Sequence, residues 1–231
     1  MPAVALIGPD GAGKTTLTHM LETSGLLPIR YLYMGVELSS SNVALPTSRL
    51  AAWVKRRVRG GRGAATGSSA PASLPMPDRP ARRSRVRAVA RFANRFCEEW
   101  YRQVVSWYYQ TRGYVVLYDR HFLFDFAPEI APRPWSLEQR LHAWCLAHLY
   151  PRPDLVIYLD APGAVLFARK GELSIAELER RRQGFLRQGA RFPNFVRVDA
   201  TRPLPEVYKD VTAHVLRLTS DRHRPLASVT G

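Results

Sequence analysis

Residues Gly8 to Thr16 read GPDGAGKTT and follow directly on the apolar run Val4-Ala5-Leu6-Ile7. An apolar run of this length ending in a glycine-rich loop predicts a buried strand, a tight loop and the start of a helix. The spacing G-x-x-x-x-G-K-[ST] is filled by Gly8, Gly13, Lys14 and Thr15, with a further glycine at position 11. Each residue type suits one task. Glycines let successive amides converge on an anion, and the helix that follows adds its positive end. The lysine reaches β- and γ-phosphate oxygens, and the threonine hydroxyl can ligate Mg²⁺. Gly8, Gly11, Ala12, Gly13, Lys14, Thr15 and Thr16 are therefore the candidate ATP-binding residues, with Thr15 also a candidate metal ligand. The competing reading is an ordinary glycine-rich turn between a strand and a helix.

At 231 residues and 46% hydrophobic, the chain is long enough for one α/β domain with a substantial core. We expect a single domain over residues 1–220, a flexible tail over 221–231, and a soluble, cytoplasmic protein. Met1-Pro2-Ala3 runs straight into the first strand without a basic or cleavable apolar leader, and no apolar stretch is long enough to span a bilayer. Cys97 and Cys145 form no C-x-x-C pair, so neither a disulfide framework nor a zinc site is expected.

The formal charge of +15 is local rather than general. From Arg49 to Arg91 there are 12 basic residues against one acid, Asp78. Within this stretch Gly60 to Pro80, GGRGAATGSSAPASLPMPDRP, lacks periodicity and has little to bury, which predicts a flexible insertion. A basic arm of this kind could grip a polyanion such as nucleic acid. Only four of the 34 basic residues are lysines, however, and an arginine bias can equally follow from coding composition.

The rest of the chain alternates between the two periodicities. Strands are predicted at Val4 to Ile7, Ile29 to Met34, Tyr114 to Tyr118, Leu155 to Leu159 and Phe195 to Val198, all short and apolar as in a parallel sheet covered on both faces. Helices are predicted at Lys14 to Thr23, Arg82 to Thr111, Leu137 to Leu149, Ala164 to Lys170, Ile175 to Gln188 and Leu204 to Leu218. In the last, Leu204, Val207, Val211, Val215 and Leu218 form a core-facing stripe. Ser136 with Gln139, and Ser174 with Glu177, have the spacing of capping boxes. The pattern predicts a three-layer α/β/α fold around a mainly parallel five-stranded sheet. The loops after Ile7, Tyr118 and Leu159 should then meet at the strands' carboxyl ends.

Asp119-Arg120-His121 lies at one of those ends. An acid beside a phosphate loop suits Mg²⁺ or its water shell, and the arginine can fork onto a phosphate. A plain ion pair at a strand end is the alternative. For His121 a packing or capping role is expected.

Together these segments resemble the thymidylate kinases, a family of P-loop nucleoside monophosphate kinases. GPDGAGKTT resembles their phosphate loop, and Asp119-Arg120-His121 resembles an element whose arginine holds the acceptor's phosphate. Asp154 to Glu172 looks like the fourth strand, its helix and the entrance to a helical lid, while Arg197-Val198-Asp199-Ala200 and Leu204 to Val207 look like the last strand and the turn near adenine. The likeness spans most of the chain except Gly35 to Pro80 and the end.

What the resemblance implies can be stated residue by residue. Lys14, Asp119, Arg120 and Arg169 would be catalytic, with Asp119 and Thr15 holding the metal and Arg169 reaching the ATP phosphates from the lid. Lys170 and the triplet Arg180-Arg181-Arg182 would belong to that lid, although the triplet alone could be a solvated helix face. Phe92, Arg95, Asp10 and Arg120 would bind the acceptor; Asp125, read from its own chemistry rather than from the resemblance, could bind an acceptor hydroxyl or ammonium group or be a plain loop carboxylate. The expected activity is ATP- and Mg²⁺-dependent phosphorylation of a nucleoside monophosphate, dTMP to dTDP first among them. After Asp119-Arg120, where the family continues with a serine and an Ala-Tyr-Gln-like segment, this chain has Phe122-Leu123-Phe124-Asp125-Phe126. Two alternatives remain open: a kinase for a sugar or metabolite hydroxyl, and a P-loop nucleotidase holding a polyanion on its basic arm. Homodimer formation is also left open.

Overall fold

The computed structural model describes residues 1–35, 43, 45, 81–125, 137–171 and 173–223. The insertion expected at 60–80, Ser136 with its capping box, and residues 224–231 lie outside the described residues. The chain divides into two compact units, Met1–Val43 with Arg102–Gly231, and Ala44–Tyr101.

The first unit carries the sheet. Strands β1 (Ala3–Ile7), β2 (Ile29–Tyr33), β3 (Val115–Asp119), β4 (Leu155–Asp160) and β5 (Phe195–Asp199) are all parallel, in the order β2-β3-β1-β4-β5. Among the described residues the helices are α1 (Lys14–Thr23), α2 (Ala81–Thr111), α3 (Phe122–Asp125), α4 (Leu137–Leu149), α5 (Gly163–Lys170), α6 (Ile175–Gly189) and α7 (Leu204–His223). The chain leaves β1 for one edge of the sheet, returns through β3, and then crosses to β4 and β5. β1 therefore sits where the strand order reverses, and the loops after β1, β3 and β4 share one sheet edge. That crevice is where parallel α/β sheets bind ligands.

Alternation along the strands gives the sheet two apolar faces. On one, Val4, Leu6, Val115, Leu117, Ile157 and Leu159 pack with Leu17 and Leu21 of α1 and with Val207, Val211 and Val215 of α7. On the other, Tyr118 shares a 2.6 Å hydrogen bond with Ser106 of α2, and Tyr158 stacks on Phe185 of α6 with ring centroids 5.6 Å apart. Helices thus cover both faces. The α7 stripe begins one turn later than expected, because Leu204 at its first residue is 41% exposed. Ser174 caps α6 as its spacing predicts, accepting from the Glu177 amide at 3.2 Å.

In the second unit, α2 contributes a ring stack of Phe92 on Phe96, centroids 6.3 Å apart, and the Glu98 carboxylate accepts from the Leu45 amide at 3.1 Å. Residues 102–111 of the same helix belong to the first unit.

The last turn of α6 meets β5 at Gly189. A methyl group there would overlap the Phe195 ring, whose atoms lie well inside contact distance of its position. Gly189→Ala should therefore lower stability by about 1–3 kcal/mol through overpacking. Urea unfolding monitored by circular dichroism checks this, and an unchanged midpoint would show that α6 can shift off β5 freely.

Candidate functional site

The loop from Gly8 to Gly13 is shaped by three glycines with positive φ, 153° at Gly8, 86° at Gly11 and 89° at Gly13. At Gly8 sterics add to the requirement, since a Cβ would stand 2.8 Å from the Leu159 carbonyl oxygen of β4. Gly13, in the left-handed region, is the N-cap of α1 and supplies no side chain to it. The first amides of α1 are therefore left for an anion. Lys14 is buried, with its Nζ donating to the Pro9 carbonyl at 2.8 Å across the loop. Ala12 is buried, whereas Thr15 and Thr16 are exposed on the first turn.

From β3, Asp119 enters the same crevice. Its carboxylate is 2% exposed. Oδ2 accepts from the Thr15 hydroxyl at 2.7 Å and from the Tyr31 phenol at 3.4 Å. Oδ1 is buried and has no hydrogen-bond partner among the described residues. A buried carboxylate oxygen without a donor is costly unless a cation or water completes it. With a hydroxyl beside it, the donor set is hard oxygen, as Mg²⁺ requires. Among the described residues no cluster of three or more His, Cys, Asp or Glu could cage a metal. Mg²⁺ usually takes one or two protein ligands and keeps its remaining positions for water and substrate phosphates. Thr15 and Asp119 are the residues that would hold it.

Arg120, the next residue, has φ 67°, the only non-glycine with positive φ among the described residues. Its backbone is fixed by donation of its amide to the Leu6 carbonyl at 3.1 Å. The left-handed turn sends the guanidinium back over the loop, where it donates to Asp10 at 2.6 Å. Gly35 makes room for this, since a Cβ there would lie 2.8 Å from Arg120 Cδ. Arg181 of α6 approaches the other Asp10 oxygen at 3.8 Å. Burial works against ionisation of Asp10, but the charges of Arg120 and Lys14 and the Arg120 hydrogen bond outweigh it and hold the carboxyl below its ordinary value. Asp10 thus stands as an anion between cations.

His121 is fully buried, and desolvation lowers its pKa to about 3. It packs among Tyr118, Phe122 and Tyr150 with centroids 5.5–6.3 Å away. A neutral imidazole walled in by rings is a packing residue, as its sequence setting suggested.

The lid candidates separate. α5 ends against the loop, because a Cβ on Gly11 would be 3.7 Å from that of Arg169 and 3.6 Å from that of Lys170. The Arg169 side chain is exposed there. The adjacent triplet on α6 points three ways. Arg180 pairs with Glu177, Arg181 lies between Glu177 and Asp10, and Arg182 turns inward onto Asp160 with two hydrogen bonds of 2.7 and 3.0 Å.

Asp160, at the end of β4, also accepts from Arg197 at 2.7 Å. Burial opposes its charge, but the two arginines override this and keep its carboxyl below the ordinary value. With Pro162, Asp199 and Thr201 these residues line a cleft of about 440 Å³ beside β5. Tyr31 carries no motif, and nothing in the sequence signals that Asp160, Arg182 and Arg197 pair with one another; the sheet order and the packing of α6 bring them together.

Removing the Asp160 charge should show in a pH profile. The folded-state pKa is depressed, so the stabilisation is complete above the unfolded value near 4 and is lost as pH falls through the folded one. Asp160→Asn should cost about 1–3 kcal/mol at pH 7, less than a fully buried pair because Arg197 is half in solvent. The gap to wild type should close below about pH 4 in urea titrations. A gap that is constant with pH would show that packing, not charge, is what Asp160 contributes.

Of the remaining acceptor candidates, Phe92 and Arg95 lie on α2 in the second unit, and the Asp125 side chain is outside those described. Phe122, Leu123 and Phe124 are buried. Phe124 stacks against Phe185 and Phe192, so this segment serves the core rather than facing an acceptor. No helix among the described residues is long and apolar enough to cross a membrane. In comparisons with protein-family models and with curated protein sequences the chain gives no match, so the geometry of this crevice carries the functional reading.

Proposed function

We propose that the chain is a P-loop phosphotransferase that moves the γ-phosphoryl group of ATP to an acceptor that itself carries a phosphate, a nucleoside monophosphate with dTMP the first candidate. The observation that carries this is that two successive residues at the end of β3 bond to different points of one glycine-rich loop, Asp119 to Thr15 and Arg120 to Asp10. A loop that held a nucleotide only for binding would not need a second, anion-seeking cation beside it.

In this reading, the amides of residues 11–15 and the Lys14 ammonium cradle the β- and γ-phosphates, Lys14 exchanging the Pro9 carbonyl for phosphate oxygens. Mg²⁺, held by Thr15 and Asp119, offsets charge on those oxygens when bound. Arg120 leaves Asp10 for the acceptor phosphate and fixes it in line, since phosphoryl transfer depends on positioning and charge compensation more than on covalent chemistry. An acceptor phosphate needs no general base, consistent with a neutral, buried His121. Arg169, Lys170 and Arg181 are the lid cations that lie against the loop, and Arg182 is committed to Asp160.

One observation favours a second reading, transfer to a sugar or metabolite hydroxyl. The buried Phe122-Leu123-Phe124 segment offers no polar group to read a base, whereas the ionised Asp10 can accept from a hydroxyl. An ATP-to-ADP assay across nucleoside monophosphates, nucleosides and phosphosugars separates the two, with Lys14→Ala as background. Stimulation by nucleoside monophosphates supports the first reading. Stimulation by nucleosides or sugars alone overturns the acceptor-phosphate role of Arg120.

A further inference from the structure

We propose that Tyr31 is a positioning residue for the cation, holding Asp119 by one carboxylate oxygen so that the other is kept for the metal. This inference rests on the phosphotransferase reading above. Both donors to Asp119, the Thr15 hydroxyl and the Tyr31 phenol, use Oδ2, while Oδ1 stays buried and unpartnered among the described residues. A carboxylate whose Oδ2 accepts from two hydroxyls is biased towards presenting Oδ1, so the ligand oxygen is favoured before any cation arrives. The phenol contact, at 3.4 Å, is long. It orients the carboxylate rather than fixing it strongly.

Tyr31 is itself held by the helix that the phosphate loop opens. Its amide donates to Glu22 of α1 at 3.1 Å, and its ring lies 4.9 Å from that of His19, one turn after Thr15. Its strand pairs with β3 in register, Tyr31 opposite Leu117 and Tyr33 opposite Asp119. The edge strand β2, α1 and β3 are thereby tied together at the metal end of the loop. A tyrosine serving only as filler would not direct its hydroxyl at a buried carboxylate.

Tyr31→Phe keeps the ring and removes the donor. Partners of metal ligands typically change metal affinity by about 10- to 100-fold, and a long bond belongs at the lower end. Mn²⁺ binding in the presence of ADP, counted by electron paramagnetic resonance, should weaken about tenfold in Tyr31→Phe. ADP affinity in EDTA and the melting temperature should stay close to wild type. In an Asp119→Asn background the same substitution should have no further effect on Mn²⁺, because the residue acts through Asp119. Mn²⁺ affinity within about twofold of wild type in Tyr31→Phe, or an equal loss in both backgrounds, overturns the inference while leaving the phosphotransferase reading intact. If the wild-type protein binds neither ADP nor Mn²⁺·ADP, both fall together.

Discussion

Replacing Lys14 by alanine should reduce ATP turnover about a thousandfold or more with every acceptor, while leaving the melting temperature within a few degrees of wild type. The size of the loss follows from where the charge sits. Lys14 is 5% exposed and already desolvated, with its ammonium on the Pro9 carbonyl inside the loop, so only the exchange of that carbonyl for phosphate oxygens is needed. In such a site a preorganised charge is worth far more than in water. The small effect on stability has the same origin. Without ligand the lysine donates to the Pro9 carbonyl, and the net worth of such a bond is about 1–3 kcal/mol, partly recovered if water enters beside the threonines. Rates from coupled ADP detection and midpoints from thermal unfolding, measured on the same preparations, test the pair. A variant that keeps more than about a tenth of the wild-type rate would mean the loop does not carry the phosphoryl group in its transition state.

That the chain would fold around this loop was legible because the signals were local. Five short apolar runs became five parallel strands, and the loop's position after the first of them set the crevice. What escaped was decided at long range. α3 follows Arg120 as a single turn, with no cap or periodicity to announce it, and it exists because Phe122 and Phe124 are drawn into the core. Arg180, Arg181 and Arg182 read as one basic cluster in sequence. On a helix consecutive residues point about 100° apart, so they meet a glutamate, Asp10 of the glycine-rich loop and a buried aspartate in turn. Tyr31 is an aromatic residue in an apolar strand, indistinguishable from core until β2 is placed beside β3. A candidate site is legible where a motif compresses its residues into nine positions, and hidden where strands and helices must be assembled first.

Arg120→Gly should separate fold from function more sharply than any other substitution. At φ 67° a side-chain-bearing residue is held in the left-handed region, at a cost of about 1–2 kcal/mol that glycine does not incur. Against this stand the greater freedom of glycine in the unfolded chain, about 0.4–1 kcal/mol, and the half-exposed ion pair with Asp10, about 0–1 kcal/mol. The terms nearly cancel, so the variant should unfold at a midpoint equal to or slightly above that of wild type. Its activity should collapse. The guanidinium presents two parallel donors to an acceptor phosphate, each charge-assisted bond contributing about 1.5–3 kcal/mol, which together amount to roughly two to four orders of magnitude in kcat/KM. ATP affinity should change little, because in the proposed reading Lys14 and the loop amides hold the donor phosphates. Arg120→Ala, which keeps the strain and loses the charge, should show the same kinetic defect with a lower midpoint. If glycine were instead to unfold the protein while sparing turnover, the left-handed turn would be a structural device and its arginine no part of the acceptor site. A stable protein that binds ATP and cannot use its acceptor is the outcome expected of a residue whose backbone strain is retained for the position of its side chain.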